Sequence, residues 1–347
     1  MGVAMIYSAT FHRLELQGAD TMHFVNRQLV ALVLGLVAMG AVMVVDYRLY
    51  RAWAPLLYVV AVVMLVITAA TGTTVNASRA WIVFGGFQFQ PAEIAKPALI
   101  LMLAALFQER RESALGLRAL VEAIVIAAVP MVLILAQPDL GTAIVFLAIT
   151  FGVLLLARVR VRYIVALAMI GVFSLVGAYQ LNILKQYQVD RLTTFFNTGA
   201  ADLQGAGYNV NQAQIAVGSG QLTGQGFRQG TQTSLSYVPE NHTDFIFTVV
   251  GEELGFVGAA LLLGLFALLL WRALRITAAS RDTFGMLIGG GVVAVFSFQL
   301  FINVGMSIGI MPVTGLPLPF VSYGGTSLIG SFIMIGLLQN VHMRRFA

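Results

Sequence analysis

The chain has 347 residues, 59% hydrophobic and only 10% charged, with a formal net charge of +5 and no cysteine. Without cysteine no disulfide can hold a loop, which fits either redox compartment. The positive charge is not a nucleic-acid signature, because its distribution along the chain has a simpler explanation. Apolar runs near the roughly 20 residues that a bilayer span needs recur throughout. Backbone groups in lipid are satisfied only within helices or closed barrels, and a barrel would show short alternating segments. The composition therefore predicts an all-α polytopic membrane protein.

The opening "MGVAMIYSAT" is too short to cross alone. It is expected to be the tail of a first span, apparently truncated, or a short N-terminal arm, and no cleavable signal peptide is evident. Apolar runs follow at 28–45, 53–71, 92–107, 119–136, 140–157, 163–184, 245–271, 284–311 and 318–341. With the opening segment this gives about ten transmembrane helices in a single integral membrane domain, 1–347. A large loop, 185–244, separates helices 7 and 8.

One set of connections holds Arg48, Arg51, Arg110, Arg111, Arg118, Arg158, Arg160, Arg162, Arg272, Arg275, Arg281, Arg344 and Arg345. The other holds only Arg13, Arg27, Arg79, Lys185, Arg191 and Arg228, over far more residues. The positive-inside rule puts the first set, and with it both termini, in the cytoplasm. The external side then carries 72–91, 137–139, 311–317 and the large loop. Within that loop "YNVNQAQIAV" (208–217) reads as a short amphipathic helix. The Gly-rich run after it is either a set of tight turns or a flexible linker.

Ionisable residues inside spans are functional candidates. Glu93 and Lys96, at i,i+3 in "QPAEIAKPALI", share one helix face and can pair, with Pro91 in the first turn. The pair can line a functional cavity or simply tie helices together. Asp139, in "QPDLGTA", reads as a helix N-cap. Glu252 and Glu253 are adjacent, so at most one is expected to point into a cavity. In "YVPENHTDFIF" (237–247), Thr243 or Asp244 can cap the helix that follows, and His242 reads as an interfacial hydrogen-bonding residue rather than a zinc ligand. The stretch "MPVTGLPLPFVSYGG" (311–325) enters a span with three prolines. It reads as a cavity wall or a rigid turn. Residues 76–91 read as an interfacial aromatic belt.

Together "QPAEIAKPALI", "QPDLGTA", the stretch from Gly207 to Gly258, and "TGLPLPFVSYGGTSL" resemble the SEDS family (shape, elongation, division and sporulation), in family order from Gln90 to Leu328. Thr314 and Pro317 resemble the elongation branch, RodA, where division-type FtsW proteins tend to carry Lys and Thr. Departures are Ala80 where the family usually has Arg before the Trp, Ala92 in "QPAE", Ala213, and Thr326 in "GGTSL". None removes a carboxylate, but they leave the role of Arg79 open.

The resemblance implies a peptidoglycan glycosyltransferase of the bacterial cytoplasmic membrane, active on its outer face. It would polymerise lipid II and release undecaprenyl pyrophosphate, for cell elongation and rod shape. The implied partners are a class B penicillin-binding protein transpeptidase and other elongation-complex proteins. The resemblance marks Asp244 as the main catalytic candidate, acting as base or as ligand to a divalent cation (Mg²⁺ or Mn²⁺). Arg191 is then a candidate diphosphate clamp. Glu93, Lys96, Asp139 and Gln212 are candidate substrate-binding or supporting residues. A flippase of lipid-linked precursors and a non-catalytic scaffold remain the competing readings.

Overall fold

The computed structural model describes residues 1–75, 78–84, 87–109, 116–180, 189, 206–235 and 237–345. In chain order they form α1 (Gly2–Leu16), α2 (His23–Val44), α3 (Tyr47–Thr71), β1 (Thr73–Val75), β2 (Ser78–Phe84), β3 (Phe87–Phe89), α4 (Pro91–Gln108), α5 (Leu117–Ala136), α6 (Leu140–Leu156) and α7 (Val161–Gln180). Next come α8 (Ala206–Ser219), α9 (Thr231–Ser234), α10 (Ile246–Ala278), α11 (Thr283–Ser307) and α12 (Gly325–Met343). Seven of these helices, α2 to α5 and α10 to α12, are long and apolar enough to cross a membrane. Shorter apolar stretches, α6 and Val161–Gly171 of α7, add two more, and α1 is the tenth of the set. The protein is thus a helical, multi-pass membrane protein.

Four elements differ from the sequence expectation. The opening segment is a helix of 15 residues rather than ten. The stretch 73–89 holds an antiparallel sheet in the order β1-β2-β3, with Thr73 opposite Trp81 and Val83 opposite Gln88. Its β-branched and aromatic residues suit a pleated surface, a signal that the interfacial-belt reading passed over. The last span starts at Gly325 rather than 318, because Pro317 and Pro319 supply no N–H to a helical ladder. The span after the large loop is broken at Gly255, whose φ of 64° is non-helical.

The chain divides into two compact units. Unit 1 comprises 1–29, 167–267 and 299–324, and unit 2 comprises 30–166, 268–298 and 325–347. In unit 1, Met5, Ile6 and Ala9 of α1 pack with Ile246, Val250, Leu262 and Phe266 of α10 and with Leu318 and Val321. A second cluster joins Ala213 and Ala216 of α8 to Val238, Phe245 and Met306.

The break in α10 is filled by the loop after α8. Phe256 N–H donates to the Gln221 carbonyl (2.8 Å) and Val257 N–H to that of Leu222 (3.1 Å). In return, Gln225 N–H donates to the Glu252 carbonyl (2.9 Å) and Gly226 N–H to that of Glu253 (3.0 Å). Every helix interruption leaves such groups to be satisfied elsewhere. The approach is close enough that a Cβ on Gly224 would lie 2.1 Å from the Glu253 oxygen. The Gly-rich run is therefore a docked turn, not a flexible linker.

In unit 2, α4 is buried along almost its whole length, with α3, α5, α6 and α12 around it. The corner between α2 and α3 is closed from α12. Asn340 Nδ2 donates to the carbonyls of Val42 (2.6 Å) and Val45 (2.5 Å), and Arg344 to those of Met43 (3.1 Å) and Val44 (2.9 Å). These are the orphan acceptors at the end of α2, which need partners. Arg344, counted in the sequence as a topology charge, is thus also a cap.

Candidate active site

Asp244 lies in the turn that feeds α10, two residues before its first helical residue, and is half-buried. Glu240 adopts a left-handed conformation (φ 53°), and its carbonyl accepts from the N–H groups of Thr243, Asp244 and Phe245 at 3.1–3.3 Å. The Thr243 hydroxyl donates to the same carbonyl (3.1 Å) and to the Glu240 carboxylate (3.0 Å). Three amides converging on one oxygen fix the direction in which residue 244 leaves the turn. Glu240 and Thr243 are therefore the framework of the turn.

Two ties bind this turn to the Pro-rich stretch. Asn303 of α11 donates from Nδ2 to the Asp244 carbonyl (2.7 Å) and to the Leu316 carbonyl (2.8 Å). Tyr323 N–H donates to the His242 carbonyl (2.9 Å). Gly315, with φ 73°, passes so near the Asp244 side chain that a Cβ there would lie 3.2 Å from Oδ2. Only glycine holds that conformation without strain and without a Cβ pressed against the carboxylate. The far end of the stretch is fixed by Gln28 of α2, which donates to Ser322 O (3.1 Å) and accepts from Gly324 N–H (3.2 Å).

His242 is buried with its ring against Phe24 (5.0 Å) and Tyr323 (5.8 Å). Burial pushes its imidazole down to about 4, with Arg13 acting in the same direction and Glu240 opposing. At neutral pH the ring is an uncharged packing element.

Both adjacent acids on α10 are buried, and each has its own task. The Glu252 carboxylate accepts from the N–H groups of Gln232 (2.7 Å) and Thr233 (3.0 Å) and from the Thr233 hydroxyl (2.6 Å). It caps the short helix α9 from outside. Glu253 accepts from the Ser8 hydroxyl of α1 (2.5 Å). The sequence reading, in which at most one of the two faces a cavity, missed both partners. They lie in segments separated from the acids along the chain.

The remaining candidates fall as follows. Gln212 is half-buried on α8, beside Ala213, which packs with Phe245 next to Asp244. Arg191 lies outside the described residues. Glu93 and Lys96 belong to unit 2, are 2% and 0% exposed, and form an ion pair of 2.7 Å within α4. Asp139, also in unit 2, is the N-cap of α6: it accepts from Thr142 N–H (3.0 Å), from the Thr142 hydroxyl (2.8 Å) and from the Gln90 amide (3.1 Å). Among the described residues no three His, Asp or Glu side chains gather as a metal site. Asn303 and Gly315 were missed by the sequence reading. The amides Gln299 and Asn303 inside "FQLFINVGMS" were the available signal, since a polar side chain in an apolar span is costly, but they do not say which of the two finds a partner.

The arrangement brings one carboxylate, held by its backbone, to the edge of an irregular segment. Comparison with known proteins identifies the type. The model of the FtsW/RodA/SpoVE family, described as cell cycle proteins, matches residues 1–346. The chain belongs to that family. It is 37% identical to stage V sporulation protein E of Bacillus subtilis (strain 168), covering 98% of this chain and 93% of that one. It is 38% identical to the peptidoglycan glycosyltransferase MrdB of Escherichia coli (strain K12), covering 92% and 86%. Among solved structures, a chain from work on polymerisation and crosslinking by a peptidoglycan synthase complex superposes with a TM-score of 0.80. Its identity is 32% over 99% of this chain and 96% of that one. That solved chain thus shares the fold over nearly the whole length.

Proposed function

We propose that this chain is a peptidoglycan glycosyltransferase that polymerises lipid II, with Asp244 as its catalytic base. The observation that carries the reading is the half-buried Asp244 carboxylate, in a turn fixed by Glu240 and Asn303, with the Gly315 backbone close beside Oδ2. Similarity to MrdB over 92% of this chain supports the reaction class.

The reaction joins a sugar 4-hydroxyl to the anomeric carbon of a second lipid II. The oxygen–carbon bond forms as the bond from carbon to diphosphate breaks, and the α-linked donor becomes a β-linked product. The hydroxyl proton passes to Asp244. The diphosphate is a good leaving group without protonation, so the site needs one base rather than a pair of carboxylates. What it needs in addition is positive charge near the diphosphate, for which Arg191 is the proposed source. A divalent cation, when bound, supplies the same charge neutralisation, and Asp244 is the one protein ligand proposed for it. Gln212 is a proposed substrate contact. Asp139 and the Glu93–Lys96 pair are proposed as substrate-binding or supporting residues.

The elongation role rests on Thr314 and Pro317. It would be tested by depletion in the native organism: rounding supports it, filamentation supports division. A class B penicillin-binding protein is the proposed partner, in line with similarity to a chain of a peptidoglycan synthase complex.

The central test supplies purified protein with lipid II and a divalent cation and resolves polymer on a gel. Asp244→Asn is expected to abolish polymer, with folding and partner binding intact. Transbilayer movement of lipid II without polymer, unaffected by that substitution, would overturn the reading in favour of a flippase. Polymer that depends on a partner's own glycosyltransferase would make the chain a scaffold.

A further inference from the structure

We propose that Asn303 is the positioning residue of this reaction, holding Asp244 and the backbone at Gly315 in one fixed register; the proposal rests on the reading of Asp244 as the base. The Asn303 side chain is fully buried on α11, with buried Gln299 one turn before it and buried Ser307 one turn after. Its single amide nitrogen donates to two carbonyls, one of Asp244 itself and one of Leu316, directly after Gly315. Both neighbours are acceptors, so only the NH₂ group can face them, and the orientation of the amide is fixed by chemistry. The two hydrogens of one planar group therefore set the separation of two irregular backbones. One carries the carboxylate and the other lies 3.2 Å, as a Cβ would reach, from its Oδ2.

The remaining amide atom shows that the residue is specialised. Asn303 Oδ1 is buried without a hydrogen-bond partner, so the side chain is retained at the cost of one unsatisfied acceptor. One turn earlier on the same helix, Gln299 is equally buried, and neither of its amide atoms has a hydrogen-bond partner. Burial of an amide is common to both positions, and the clamp on the Asp244 turn is made by Asn303. A side chain that acts only through the placement of a base alters turnover rather than substrate affinity.

The test measures kcat and KM for lipid II polymerisation by the full chain in detergent, per folded molecule, beside thermal unfolding. Asn303→Leu keeps the approximate shape and removes both donors. Its kcat is expected to fall about 10- to 100-fold, with KM within about threefold, the scale of loss that follows a misplacement of about 1 Å. Gln299→Leu, equally buried, is expected to keep wild-type kcat. Should Asn303→Leu not fold, Asn303→His decides, because a ring N–H near the amide position retains one donor. It is expected to fold and to show an intermediate kcat with unchanged KM. Wild-type kcat per folded molecule in the variant that folds, or a rise in KM alone, overturns the proposal. Asp244→Asn is run in parallel. If it polymerises normally, the reading of Asp244 fails whatever Asn303 does. If it is inactive while the Asn303 variants turn over normally, only the positioning proposal fails.

Discussion

Glu93 and Lys96 lie fully buried, 2.7 Å apart, on a helix surrounded by other helices. Taking both charges out of water costs about as much as their attraction returns, whereas removing one partner strands the other and costs about 3–5 kcal/mol. Glu93→Ala and Lys96→Ala are each expected to lower the unfolding temperature in detergent more than the double substitution does. Losses that simply add would show that the two charges are not coupled. His242 gives a prediction of a different kind, because its imidazole is held near 4 while the unfolded chain has the ordinary value of 6.5. Between those values the unfolded state binds the extra proton. Stability is therefore fully present above about pH 6.5 and is lost as pH falls towards 4, by roughly 3 kcal/mol. His242→Phe, whose ring suits the contact with Phe24 and Tyr323, should flatten the dependence of unfolding temperature on pH in that window. Equal slopes for variant and parent would refute it. The i,i+3 spacing made the Glu93–Lys96 pair legible in the sequence, and its place before an apolar run made the Asp139 cap legible. Glu252 was not legible, because its donors sit in the short helix α9 some twenty residues away and are mostly backbone amides.

At the scale of elements, the break at Gly255 and the loop 220–226 are one construction. A continuous α10 would take back the N–H groups of Phe256 and Val257 and the carbonyls of Glu252 and Glu253, leaving the loop without four hydrogen bonds. Alanine at 255 opposes the break twice. It disfavours a φ of 64°, and its Cβ would lie 2.3 Å from the Gly224 nitrogen. Gly255→Ala is expected to raise amide hydrogen exchange at Gln225, Gly226, Phe256 and Val257 together and to destabilise the protein by at least about 1 kcal/mol. Gly264→Ala, in the same helix with nothing within 4 Å of its Cβ, serves as the neutral comparison. Unchanged exchange at those four amides would show that loop and break are independent. Hydropathy located α10 but not this feature, since a helix and a helix broken by glycine carry the same apolar run. The sheet 73–89 escaped for a related reason. Aromatic residues near a membrane surface suit an interfacial belt and a pleated strand alike, and only strand pairing separates the two.

For the whole molecule, the helical, multi-pass architecture was readable because lipid permits so few solutions for a backbone. What remains to be measured is which end of each span faces out. The assignment of Asp244 to the outer face depends on it, because lipid II polymerisation as proposed takes place there. A bias in arginine sets the expected orientation: Arg158 and Arg160 precede α7, Arg162 lies in its first turn, and the long segment holding Asp244 follows it. The absence of cysteine makes the chain its own clean background for labelling. Leu222 is 69% exposed in the segment after α7 and Val161 is 69% exposed at its start, and a crossing by α7 predicts opposite sides of the membrane for the two. In spheroplasts, Leu222→Cys should react with a membrane-impermeant maleimide, while Val161→Cys should react only after the membrane is permeabilised. Labelling of both without permeabilisation would mean that α7 does not cross. The reverse pattern would place Asp244 on the cytoplasmic side, where an extracytoplasmic polymerase has no use for a base. That result would remove the proposed chemistry without disturbing the fold.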